Sequence, residues 1–192
     1  MAEPRRVERS PAVERSREGT PPSVCVVGVG TVGLHEALAF AEAGCETIGY
    51  DVDGDLVGAY RRGRDPTGTV DEARLDRSEC AFTTDPACIG DAEYVLVAVP
   101  TATDGGEPTV ECVRKAAATV GRHLAPGTTV VLVSTVSPGA TERVFVPALE
   151  SASGMAAGRE FAVAHAPDRR SPNTDAPTAT PETRLVGADA PA

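Results

Sequence analysis

Tryptophan is absent from the 192 residues, and only four Phe and three Tyr are present. A core of stacked aromatics is therefore excluded. Val, Ala, Leu and Ile must fill it, which suits a parallel sheet covered by helices, whose strands are short β-branched runs. No apolar run approaches the length of a membrane span, and the polar N-terminus carries no apolar segment of the signal-peptide kind. The expectation is a cytoplasmic chain with no membrane partner. Lysine is nearly missing as well: Lys115 is the only one, although arginine is common. A formal net charge of −10 argues against a general nucleic-acid binder. An acidic, lysine-poor surface fits a protein dissolved in concentrated salt. It fits equally a GC-rich genome, which swaps Lys for Arg and enriches Ala, Gly and Pro. Five cysteines (Cys25, Cys45, Cys80, Cys88 and Cys112) include no C-x-x-C pair, so reduced thiols are expected, with neither a disulfide frame nor a metal site. Cys25 reads as a small core residue.

What is present is one stretch that organises the rest. Residues 24–29 are an apolar strand that runs into Gly28-Val29-Gly30-Thr31-Val32-Gly33, a G-x-G-x-x-G turn. A helical pattern follows, then a second strand ending at Asp51. In such a unit the first glycine permits a tight turn and the second lets the backbone approach a pyrophosphate. The third lets helix and strand pack closely. The helix start directs unpaired N–H groups and the positive end of its dipole at the phosphates. Asp51 stands near the spacing of about 20 residues expected of a ribose-binding carboxylate, and its charge favours NAD over NADP.

The length suffices for one α/β domain. Residues 1–23 are rich in Arg, Glu, Pro and Ser and read as a disordered tail. Residues 24–187 read as one Rossmann-type domain, a doubly wound, mostly parallel sheet, and 188–192 as a C-terminal tail. Strands are expected at 24–29, 46–50, 80–83, 94–99, 129–133 and 161–164. Helices are expected after Gly30, over 56–60, from Asp85-Pro86, over 110–123 and over 139–153, with a turn of helix inside the polar stretch 64–79. The loop at 101–108, Ser134-Thr135 and the residues around Asp168 all then fall at the carboxyl edge of the sheet, where open α/β sheets bind ligands.

The motifs resemble the N-terminal domain of the UDP-glucose/GDP-mannose dehydrogenase family, the nucleotide-sugar 6-dehydrogenases. The likeness rests on Gly28 to Leu34, Gly49-Tyr50-Asp51-Val52-Asp53, Thr84-Asp85-Pro86, and Val97-Ala98-Val99-Pro100-Thr101. It continues through Gly106-Glu107-Pro108, Ser134-Thr135-Val136-Ser137-Pro138-Gly139 and Ala166-Pro167-Asp168-Arg169. The resemblance implies NAD-dependent oxidation of a UDP- or GDP-sugar C6 alcohol to the uronate, through a thiohemiacetal on a catalytic cysteine. It implies that Gly28, Val29, Gly30, Thr31, Val32, Gly33 and Asp51 hold one half of NAD. Val99, Pro100 and Thr101 would lie further along the dinucleotide, with Ser134, Thr135 and Val136 near the nicotinamide. Thr135 matches the threonine that helps order the catalytic water, and Asp168 stands in the place of a catalytic glutamate, one methylene shorter.

Other departures are His35 for proline, Thr31 for tyrosine, Ser137 for proline, and Leu56 where a basic residue often assists the ribose carboxylate. The Glu-Pro-Gly-Leu signature is absent from residues 64–79. The family is about twice this length, and none of the five cysteines has the Gly-x-Cys context of its nucleophile. His165 has no nucleophile beside it in sequence, and Lys115 falls on an exposed helix. The chain is therefore expected to be a truncated or split form, inactive alone, meeting a nucleotide sugar only with a missing C-terminal domain or a separate catalytic chain. An apolar patch is expected where the family's central helix would dock. The alternative is a non-enzymatic NAD-binding regulatory or interaction module, which needs Gly28–Gly33 but neither Thr135 nor Asp168.

Overall fold

The structure, a computed structural model, describes residues 21–101 and 110–167 and the backbone of Gly187–Ala188. Short β-branched runs form the strands: β1 (Ser23–Val27), β2 (Glu46–Tyr50), β3 (Ala81–Thr83), β4 (Tyr94–Val97), β5 (Thr129–Leu132) and β6 (Ala162–His165). All six pair in parallel, and β7 (Gly187–Ala188) adds to β6 antiparallel. The sheet order is β3-β2-β1-β4-β5-β6-β7. The chain begins at the centre, steps outward to β3, then returns to build the other half from β4. Its direction of winding reverses between β1 and β4, and in doubly wound folds that reversal opens a crevice beyond the carboxyl ends of the strands.

Alternation along the strands feeds two cores. Cys25 and Val27 of β1, Val95 and Val97 of β4, and Val130 and Leu132 of β5 face one side. There they meet α4 (Glu111–His123) through Val113, Ala117 and Val120, and α5 (Val146–Ser153) through Leu149. Val24, Val26 and Leu96 face the other side. They are covered by α1 (Thr31–Glu42) through Leu34 and Leu38, by α2 (Gly54–Tyr60) through Val57 and Tyr60, and by α3 (Glu72–Arg77) through Leu75. The sheet is thus covered on both faces, which is why its strands read as unbroken apolar runs.

Capping explains where the short helices start. Asp53 accepts from the N–H groups of Asp55 and Leu56 to open α2, and Asp71 accepts from Ala73 to open α3. Asp85 accepts from Ala87, but the segment it opens, Pro86–Asp91, winds as a 3-10 helix. The expected single helix over 139–153 has two parts, a π-helical turn at Thr141–Phe145 and then α5. Pro147 gives the reason, because it has no N–H to donate back along the chain. Strand β4 ends at Val97, short of the expected 99, although the Ala98 N–H still donates to the Val27 carbonyl at 2.9 Å.

Ser23, expected in the tail, is the first residue of β1, and residues 1–20 lie outside the described residues. β7 reaches residue 188, across the expected start of the C-terminal tail. Among the described residues no helix is long and apolar enough to cross a membrane. Among these same residues Val52, 83% exposed, is the one large apolar side chain left exposed.

Phe145, inaccessible to solvent in the core beneath α4 and α5, is the largest fully buried side chain. Phe145→Ala is expected to cost about 3–5 kcal/mol, read as a lowered urea midpoint with an unchanged slope.

Candidate cofactor site

The turn after β1 is fixed by every polar group it carries inward. The Gly28 N–H donates to the Tyr50 carbonyl at 2.9 Å. The next N–H, of Val29, donates to Asp51 Oδ2 at 2.9 Å, and the Val29 carbonyl accepts from the Tyr60 hydroxyl at 2.8 Å. Asp51 Oδ1 accepts in turn from the Asp53 N–H at 3.0 Å. The carboxylate is thereby oriented at the end of β2, half-buried, beside the glycine turn. Burial pushes the Tyr60 hydroxyl well above the usual phenol range, so it stays a donor.

The three glycines of the motif have three different explanations. Gly28 adopts φ +86°, a left-handed backbone that side chains rarely tolerate. A Cβ there would also lie 2.9 Å from Val99 Cγ1. At Gly33 a Cβ would land on the Gly28 carbonyl oxygen, so the close approach of α1 to the turn requires glycine. Gly30 has neither reason. Its φ is −66°, and a Cβ would meet nothing within 4 Å. The protein itself leaves that space open at the N-terminus of α1, where no side chain caps the helix and no acid occupies the first turn. Free N–H groups, a positive dipole end and a cradle that a methyl would fill suit a dinucleotide pyrophosphate.

The other strand ends join this turn. Val99 lies against Gly28, and exposed Pro100 and half-buried Thr101 follow it in the chain. Ser134 is 7% exposed, and its hydroxyl donates to the Val99 carbonyl at 2.7 Å, tying the end of β5 to the end of β4. Thr135 is exposed at that edge, and its hydroxyl makes no hydrogen bond among the described residues. Thr31 is exposed, Val32 half-buried, and Val136 packs on the α4–α5 core. His165 Nε2 lies 3.3 Å from the Ser134 carbonyl. A carbonyl only accepts, so that contact needs the Nε2–H tautomer and leaves Nδ1 as the free acceptor. Asp168 and Gly106-Glu107-Pro108 lie outside the described residues.

The sequence model of the NAD binding domain of the UDP-glucose/GDP-mannose dehydrogenase family matches residues 22–192. The chain belongs to this family. Protein CapL of Staphylococcus aureus is 34% identical over 165 residues, which are 85% of this chain and 39% of that protein. The UDP-N-acetyl-D-glucosamine 6-dehydrogenase of Pseudomonas aeruginosa is 36% identical over 151 residues, 78% of this chain and 36% of the relative. Among solved structures, the NDP-N-acetyl-D-galactosaminuronic acid dehydrogenase of Methanosarcina mazei superposes with a TM-score of 0.81 at 28% identity. That match covers 94% of this chain and 42% of the other. The chain thus spans about two-fifths of the length of the relatives it matches. It is the NAD-binding domain of nucleotide-sugar dehydrogenases, and its cofactor is NAD.

Two further residues hold this NAD-binding turn. Tyr60, within the short helix expected over 56–60, holds Val29 through its hydroxyl. Gly49 lies inside β2, where a Cβ would come within 2.8 Å of both Phe82 and Val29. A glycine interrupting an apolar strand is the signal that points to such an approach. Leu56, which departs from the basic residue the resemblance implies, packs on the α1 core, and half-buried His35 lies 3.4 Å from the Arg74 guanidinium through Nδ1. Among the described residues no group of three or more His, Cys, Asp or Glu could hold a metal ion.

Gly33→Ala is expected to destabilise the fold by about 1–3 kcal/mol or more, since backbone must move. Gly30→Ala should change it by less than about 1 kcal/mol, the scale of a helix-cap substitution. Chemical denaturation of the two variants side by side checks the contrast.

Proposed function

We propose that this chain supplies the NAD-binding half of a dehydrogenase that oxidises the C6 alcohol of a UDP- or GDP-sugar to the uronate. The observation that carries the reading is Gly30, a glycine with no conformational or steric reason of its own at the mouth of the site. In this reading Gly28, Val29, Gly30, Thr31, Val32 and Gly33 receive the pyrophosphate through backbone N–H groups. Asp51 takes the ribose hydroxyls with the lone pairs left over, since Oδ2 already accepts from the Val29 N–H and Oδ1 from the Asp53 N–H. Val99, Pro100 and Thr101 line the middle of the dinucleotide, and Ser134 and Val136 shape the nicotinamide end. Bound there, NAD⁺ is a hydride acceptor.

Thr135 is assigned to ordering the catalytic water, with a hydroxyl free to donate and to accept. Asp168 is assigned to acid–base work on family resemblance. The sugar nucleotide and the nucleophilic cysteine come from a further domain or a partner chain, in keeping with the share of its relatives' length that this chain spans. A domain assignment whose bounds β1 and β7 move out to Ser23 and Ala188, and a cytoplasmic location, belong to the same proposal.

Calorimetric titration tests it. NAD⁺ is expected to bind, with NADP⁺ weaker by about tenfold or more, because Asp51 repels a 2′-phosphate. Gly30→Ala should weaken NAD⁺ by about tenfold or more, equal to ~1.4 kcal/mol, while unfolding like the parent. Absence of NAD⁺ binding in a folded sample, or unchanged affinity in Gly30→Ala, would overturn the reading. A second expected outcome separates binding from turnover: with UDP-glucose or GDP-mannose and NAD⁺, the chain alone forms no NADH.

A further inference from the structure

Cys25 and Cys88, 63 residues apart in sequence, meet with their sulfurs 3.8 Å apart. Cys25 lies inside β1 and is 1% exposed, whereas Cys88 is half-buried on the 3-10 helix Pro86–Asp91 that packs across β1 and β2. A cavity of about 150 Å³ opens onto both thiols. Its walls include Ser23, Glu46 and Asp91, at or beside the amino ends of β1, β2 and β4. The cavity therefore enters from the sheet edge opposite Gly30, Asp51 and Thr135. None of the five cysteines is in a disulfide.

We propose that Cys25 and Cys88 form an oxidisable dithiol, a modification site that closes to an intramolecular disulfide with a small peroxide-class oxidant. The two thiols are not equivalent. The hydrogen bond from Cys25 holds the Cys88 thiol below its ordinary range, and the same contact with burial pushes Cys25 far above it. Cys88, the more exposed of the two, is thus the thiol that gives up its proton more readily and attacks as the thiolate, while Cys25 is the resolving partner.

In the first step the Cys88 sulfur attacks one peroxide oxygen. The S–O bond forms, the O–O bond breaks, and hydroxide leaves and takes a proton from solvent. In the second step the Cys25 sulfur displaces the sulfenic oxygen. The S–S bond forms, the S–O bond breaks, and the departing hydroxide carries off the Cys25 proton as water. The dithiol loses two electrons, and the peroxide is reduced to two waters. The product fastens the 3-10 helix to the central strand, and a dithiol reductant reverses it.

Intact-chain mass, thiol titration and non-reducing peptide mapping after treatment with one equivalent of hydrogen peroxide test the site. Cleavage at glutamate and aspartate isolates both members of the pair: Glu36 and Glu42 separate Cys25 from Cys45, and Asp85 and Asp91 flank Cys88. The expected result is the loss of two hydrogens and two titratable thiols, a Cys25–Cys88 linked peptide, and return to the starting mass with dithiothreitol. Cys88→Ser should keep Cys25 reduced under the same treatment, and Cys112→Ser, an exposed thiol outside the pair, should form the link as the parent does. Oxidation confined to Cys45, Cys80 or Cys112, or a link joining any other pair, would overturn the proposal. The readout needs no cofactor, so it stands or falls apart from the NAD-binding reading.

Discussion

The site depends on one close approach, that of the α1 backbone to the Gly28 carbonyl. Only because Gly33 lacks a Cβ can the helix start this near the end of β1. That approach sets where the helix N-terminus points, and therefore where its unpaired N–H groups and dipole act. Everything else in the turn holds that arrangement still. Asp51 takes the Val29 N–H, Tyr60 takes its carbonyl, and Tyr50 takes the Gly28 N–H. A peptide unit bound at both ends from β2 and α2 cannot rotate independently of the sheet. The acid at the end of β2 thus has two tasks, because the carboxylate proposed to read the ribose also braces the loop that would receive the phosphates.

The same economy runs across the switch point. The β4 end reaches the glycine turn by the packing of Val99 on Gly28, and β5 reaches β4 by the Ser134 hydroxyl on the Val99 carbonyl. His165 extends the line to β6 through the Ser134 carbonyl. Four strand ends form one connected rim, so a displacement at β5 is felt at the glycine turn through two contacts. Ser134 contributes to the site chiefly through this tie, with its donor already used, whereas Thr135 beside it presents an uncommitted hydroxyl. Adjacent residues of one motif therefore differ in what they leave available: one hydroxyl is spent on the rim and the other is not.

Much of this was legible in the sequence because it rests on local rules. Apolar runs bounded by Gly and Pro gave all six parallel strands, and G-x-G-x-x-G followed by a strand-end acid located the turn and its carboxylate partner. The misreadings have physical causes. Pro147 sits inside an apolar-periodic stretch, and periodicity does not register the missing N–H that splits the helix over 139–153. The segment opened by Asp85-Pro86 carries the same kind of aspartate cap as the equally short α3, yet it winds as a 3-10 helix, a difference that cap and length do not encode. The contact of Tyr60 with Val29 and that of Cys25 with Cys88 join residues 31 and 63 positions apart. No pattern within one element encodes such pairs, because they arise from how elements stack.

The distinction among the three glycines bears on how such motifs are read at all. A glycine in a turn is ordinarily ambiguous, since backbone freedom, packing and ligand approach all select for it. Here the coordinates separate the causes. Positive φ accounts for Gly28, and a steric conflict accounts for Gly33, and both would be needed in a protein that bound nothing. Gly30 caps α1 from an allowed backbone region, where glycine is favoured over alanine by less than about 1 kcal/mol, and open space lies where a side chain would be. The fold asks little of this residue, and a ligand that comes close to the backbone there would ask more. Gly30 therefore speaks more directly to a ligand than the other two glycines do, and it is the residue on which the proposed reading of this domain turns.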